Sequence, residues 1–232
     1  MPLEHVLFDL DGTLVDSVTT STEIINVMLA SRGCNTPIGD AMVRPYVSVG
    51  AAPMMAALLG EFCTDPELDI LEFRRCYAEL PTPEKALFPG VVEGLAALQD
   101  AGLELAICSN KPQNLCEKVL RETGILGLFQ TVVGGRPGVP AKPAPDLLNM
   151  VLHRCGATSS TSLFVGDSGI DEEVAASLGV SFAAVTYGYG GQEWASSQPD
   201  RYGDFDDLTF SILSRLVERP LERKVTARHG KF

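Results

Sequence analysis

The chain has no cysteine pair spaced C-x-x-C; its six cysteines are widely scattered, so the usual spacing of a zinc or redox motif is missing. Reduced thiols are the expectation, and Cys108, inside an apolar run, reads as a buried one. No uninterrupted apolar stretch reaches the roughly 18 residues that mark a membrane-spanning helix. The N-terminal residues lack the basic flank and long apolar core of a signal peptide. A cytoplasmic location without a membrane partner is therefore expected. Basic residues are scarce: 18 Lys and Arg stand against 30 Asp and Glu, a formal charge of -12. That deficit argues against nucleic acid, whose phosphate backbone demands basic surface. A small anion needs only a local positive site and stays open.

The 232 residues suffice for one large domain, or for a domain with an insertion. Short β-rich runs recur at His5–Leu10, Leu103–Ser109, Gln130–Gly134, Ser162–Asp167 and Val180–Tyr187. Helical patterns alternate with them. One carries Leu95 and Leu98 and stops at Gly102; the next carries Leu115, Val119 and Leu120 and stops at Gly124. Two more are Pro145–Cys155, stopped by Gly156, and Asp171–Leu178, stopped by Gly179. Alternation of this kind predicts an α/β fold, a doubly wound parallel sheet covered on both faces. The stretch 17–80 breaks the rhythm. Ile24, Ile25, Met28 and Leu29, then Met54, Met55, Leu58 and Leu59, then Ile70, Phe73 and Tyr77 suggest three helices and no strand. Pro81, Pro83 and Pro89 mark a stiff return. The expected division is a core of 1–16 and 81–218, a helical insertion of 17–80, and a frayed basic tail of 219–232.

The sequence FDLDGTLVDS, residues 8–17, crowds acids at the end of the first apolar run. On a strand, residues two apart share a face, so Asp9 and Asp11 are expected to project together. Gly12 lets the backbone turn there. Such crowding is tolerated where a hard cation such as Mg²⁺ offsets the repulsion. A surface Asp-Gly turn is the plainer reading, whereas a calcium loop would need its glycine two positions later. Further signals follow other runs: Ser109-Asn110-Lys111, Lys142-Pro143, and GDSGID at 166–171, with Asp167 and Asp171. Alone, Asp171 is also favourable charge at a helix N-terminus. Ligands of open α/β sheets bind beyond the carboxyl ends of the strands, so together these residues describe one site.

In this order the motifs resemble those of the haloacid dehalogenase superfamily of phosphohydrolases, over roughly residues 6–213. The resemblance implies a phosphomonoesterase with a helical cap at 17–80. It implies Asp9 as nucleophile, Asp11 as general acid/base, and Ser109 and Lys142 gripping the phosphoryl oxygens. Mg²⁺ would be held by Asp9, Asp167 and the backbone carbonyl of Asp11, with Asp171 in support. Thr13 and Asn110 would contact substrate. A small phosphorylated metabolite is the implied partner of a monomer or homodimer.

Within the superfamily, Asp11 argues against dehalogenation. Lysine is absent from Ser17–Leu80, which argues against phosphonate cleavage by a cap lysine. Several runs, including FPGVVEGLAAL, KPAPDLL and VTYGYG, are similar to phosphoglycolate phosphatases. Arg44 is then the cap cation expected near the substrate carboxylate, while Arg136 stands where such relatives more often have an acid. Other sugar phosphates or nucleotides, and sugar phosphomutase chemistry, remain alternatives. So does a phospho-accepting receiver or binding module, which repeated release of phosphate would separate from an enzyme.

Overall fold

The computed structural model describes residues 2–47 and 50–217; the basic segment 219–232 lies outside them. The first apolar run forms β1 (His5–Phe8), buried along its whole length. Four helices follow without a strand: α1 (Val18–Ser31), α2 (Asp40–Val43), α3 (Ala51–Leu59) and α4 (Pro66–Glu79). Helix α4 starts where Asp65 accepts the N–H groups of Glu67 and Leu68 and Pro66 opens the first turn. Alternation then sets in with α5 (Val91–Asp100), β2 (Glu104–Pro112), α6 (Gln113–Glu122), β3 (Thr131–Gly135) and α7 (Asp146–Cys155). It ends with β4 (Ser162–Gly166), α8 (Gly169–Ser177), β5 (Ser181–Val185), α9 (Gln192–Ser197), β6 (Arg201–Tyr202) and α10 (Phe205–Val217).

All six strands pair in parallel, in the order β3-β2-β1-β4-β5-β6. The expected doubly wound α/β sheet is thus present. Alternate residues feed opposite faces: Val6, Phe8, Ile107 and Val165 enter one apolar cluster, and Leu7, Cys108 and Phe164 the other. The Met54 and Met55 pair is core packing, as read from the sequence. All six cysteines are free, and burial pushes the Cys108 thiol up to about 12, which keeps it protonated and unreactive. Among the described residues no helix is long and apolar enough to cross a membrane.

Several details differ from the expectation. Strand β1 stops at Phe8 rather than Leu10, so strand alternation does not align Asp9 with Asp11. A turn follows instead: the Leu10 carbonyl accepts the N–H groups of Thr13, Leu14 and Val15, and the Gly12 N–H donates forward to Val15 O. Strand β6 and helices α9 and α10 were not expected. Strand order reverses between β1 and β4, which is where such sheets open a ligand crevice. Residues following both strands face that crevice.

Candidate active site

Asp9 leaves β1 directly, its N–H bonded to Val165 O at 2.9 Å, which fixes its backbone beside β4. Its Oδ1 forms an ion pair with Lys142 Nζ at 2.9 Å, at an angle outside hydrogen-bond geometry. Lys142 donates elsewhere, to Asp171 Oδ1 at 2.6 Å and to Cys108 O at 2.9 Å. Asn110 anchors that lysine from behind. Its amide nitrogen donates to Lys142 O at 3.0 Å, and its amide oxygen accepts Lys142 N–H at 2.7 Å.

Across the crevice Asp167 is 1% exposed, with Oδ2 accepting the Tyr189 N–H at 2.6 Å. Its neighbour Asp171 takes Ser168 Oγ at 2.6 Å on the oxygen that Lys142 leaves free. One carboxylate oxygen each from Asp9, Asp167 and Asp171 fall within 4.8 Å of one another. Burial, then Asp171, raise the Asp9 carboxyl to about 6 against the opposing pull of Lys142. Burial, followed by Asp171 and Asp9, drives Asp167 well above the ordinary value. Burial works against the charge of Lys142, but Asp171 and Asp9 outweigh it and hold the ammonium up. Of three buried carboxylates, two, Asp9 and Asp171, share the Lys142 ammonium, and Asp167 has no ion-pair partner among the described residues. That donor set fits a hard divalent cation, with Asp171 already committed to Lys142 and Ser168.

Asp11 stands apart from this trio. Its carboxylate is met by Lys111 Nζ at 3.0 and 3.2 Å, and that ammonium lies 3.9 Å from the centroid of the Tyr77 ring. Burial opposes the Lys111 charge, and Asp11 followed by Tyr77 more than restore it. The sequence pointed to Ser109-Asn110-Lys111 but gave the lysine no role. A signal was present: Asp9 and Asp11 cannot both be balanced by Lys142. The cleft is lined by Asp9, Asp11, Ser109, Asn110, Lys111 and Lys142 from the sheet side. Ser17, Met54, Phe73, Arg74 and Tyr77 line it from the helical side, where the Ser17 hydroxyl is buried without a partner.

Of three expected substrate contacts, the structure places two away from the cleft and one, Asn110, in its lining. Thr13 is fully buried, its hydroxyl 3.5 Å from Asp167 Oδ1 and its carbonyl accepting Tyr187 Oη at 2.8 Å, so it braces the acids instead. Asn110 lines the cleft, with one amide N–H and the amide oxygen bonded to the Lys142 backbone. Arg44 does not line the cleft at all. It donates to Tyr187 O at 2.8 Å, lies over the Tyr189 ring, and faces a separate groove with Arg201. Its draw is the pair of carbonyls and aromatic face presented by the loop after β5.

Comparison with known proteins places this geometry. The family model of haloacid dehalogenase-like hydrolases matches residues 6–185. A phosphoglycolate phosphatase of Pseudomonas syringae pv. tomato is 37% identical, over 94% of this chain and 86% of its own length. An N-acetylmuramic acid 6-phosphate phosphatase of Pseudomonas aeruginosa is 35% identical, over 82% of this chain and 84% of its own. A crystal structure described as a predicted phosphoglycolate phosphatase of Haemophilus somnus superposes with a TM-score of 0.81 at 30% identity, covering 90% of this chain and 97% of that one. The chain belongs to the haloacid dehalogenase-like hydrolase family, on its phosphatase branch.

Proposed function

We propose that the chain is a Mg²⁺-dependent phosphomonoesterase working through an aspartyl-phosphate on Asp9, with 2-phosphoglycolate as substrate. The Asp9 carboxylate, buried at the point where strand order reverses and paired with the Lys142 ammonium, carries this reading. It is a carboxylate held ready for phosphorus and for a cation. Asp9 and Asp167 would hold Mg²⁺, with the Asp11 backbone carbonyl as the family adds it and Asp171 in support. The cation supplies charge that keeps Asp9 ionised and offsets the phosphoryl dianion.

The remaining work falls to side chains. Asp9 forms a bond to phosphorus as the ester P–O bond breaks, and Asp11 gives its proton to the departing alkoxide. Water then attacks phosphorus, Asp11 takes its proton, and the Asp9 carboxylate is released with inorganic phosphate. Lys142 and Ser109 stabilise charge on the phosphoryl oxygens. Segment 17–80 acts as the cap over residues 1–16 and 81–218, and α4 closes the cleft against water.

The N-acetylmuramic acid 6-phosphate relative, almost as similar, supports a second reading: a phosphosugar that also carries a carboxylate. A screen of phosphomonoesters with Mg²⁺, ranked by kcat/KM, decides. Phosphoglycolate at the head of the ranking is expected. A phosphosugar at the head transfers the assignment to the second reading, and no turnover of any phosphoester overturns both.

A further inference from the structure

Helix α4 presents one more charge to the cleft. Arg74 lines it beside Asp9, Asp11, Lys111 and Tyr77. Among the described residues it is the one lining cation without an ion-pair partner: Lys111 is held by Asp11, and Lys142 by Asp9 and Asp171. The helix itself explains this. Side chains three and four residues away share a face, and for Arg74 these are Ile70, Leu71, Tyr77 and Ala78, none of them acidic. Arg75, by contrast, has Glu72 and Glu79 at those spacings and stays out of the cleft. The nearest acids of α4 are also occupied, since Arg32 grips Asp69 and Glu72 at 2.6 Å each.

A phosphoester seated on Asp9 and Lys142 has the sheet behind it, so its alcohol half projects toward the helical wall. That wall offers the apolar Met54 and Phe73 and the neutral hydroxyls of Ser17, Ser21 and Tyr77, none of which brings a charge to offset the desolvation of a carboxylate. We infer that Arg74 binds a second anionic group, a carboxylate, on the alcohol half of the substrate, and so selects acidic over neutral phosphoesters. The inference rests on the phosphatase reading for the seat of the phosphate. An arginine suits the task because its planar fork meets both carboxylate oxygens at once, and a lysine replaces only the charge.

Calorimetric titration of the Mg²⁺-loaded protein with phosphonoacetate and with methylphosphonate tests this without turnover. The wild type should bind phosphonoacetate more tightly. Arg74→Ala should weaken phosphonoacetate by about tenfold to a hundredfold, as loss of a charge-assisted contact does, with a much smaller change for methylphosphonate. Arg74→Lys should recover part of the loss, and Arg75→Ala should not reproduce it. Equal weakening of both ligands by Arg74→Ala, or no wild-type preference for phosphonoacetate, overturns the inference. Selective binding without hydrolysis of any phosphoester would keep Arg74 as the carboxylate site and sink the phosphatase reading instead.

Discussion

Lys111 Nζ sits 3.0 Å from Asp11 Oδ1, and the Tyr77 ring of α4 lies over the same ammonium. One lysine therefore joins the proposed acid/base to the helix that lines the opposite side of the cleft. Replacing Lys111 with Met keeps an apolar stem under Tyr77 and removes the charge that orients Asp11. Turnover of an alkyl phosphate should fall by about tenfold to a hundredfold, a share of what general acid catalysis contributes. p-Nitrophenyl phosphate should lose much less, since its leaving group needs little proton donation. Equal losses for both esters in steady-state kinetics would show that Lys111 serves folding rather than Asp11.

How much of this was legible in the sequence follows from the range of each interaction. Helix stops such as Gly156 and runs such as Leu163–Val165 are local signals, and the parallel sheet followed from them. Asp9, Ser109, Lys142, Asp167 and Asp171 were found because each lies at or beyond the carboxyl end of an apolar run, and the topology gathers those ends. Lys111 and Tyr189 were missed because their meaning is a contact across long stretches of chain. Tyr189 reaches Asp167 through its N–H and the Asp16–Ser17 turn through its hydroxyl, which no periodicity encodes. Arg44 was misplaced for the same reason: its partners are carbonyls of a loop far along the chain.

Crowded acids make the metal-free protein sensitive to pH. Folding raises Asp9 from 3.8 to about 6, so the folded chain binds more protons than the unfolded one over that interval. The associated stability is fully present below 3.8 and is lost as pH rises through about 6. A shift of about two units corresponds to about 3 kcal/mol, and Asp167 acts in the same direction. Glu122, lowered by its bonds to Lys118 and Thr82, acts in the opposite direction, so the informative quantity is a difference. In chelator, the Tm of wild type relative to Asp9→Asn should fall between about pH 4 and pH 7. A pH-independent difference would contradict the burial of an incompletely compensated charge at Asp9.

Cation supply should reverse that penalty and restore function together. At neutral pH, Mg²⁺ should raise the wild-type Tm by binding the folded state alone, and it should restore hydrolysis lost in chelator. Ca²⁺ should raise the Tm as well but support little turnover, because its longer and more numerous bonds misplace the attacking oxygen of Asp9. Full activity in excess chelator would remove the cation from the proposal.

Gly12 gives the sharpest test of the acid cluster, because a matched control exists. It has φ +87°, and a Cβ there would collide with the Asp167 carboxylate. Gly33 has the same φ of +87° with nothing within 4 Å. Alanine at either position meets the same backbone strain, on the order of 1–3 kcal/mol. Only at position 12 must Asp167 also move, and Asp167 is held there by the Tyr189 N–H and flanked by Gly188, which likewise leaves no room for a Cβ. Gly12→Ala should therefore weaken Mg²⁺ binding by at least about tenfold, since metal ligands tolerate little displacement. Gly33→Ala should leave the Mg²⁺-induced Tm shift near its wild-type size. Matching Mg²⁺ titrations for the two variants would mean that the close approach of Gly12 to Asp167 serves packing alone.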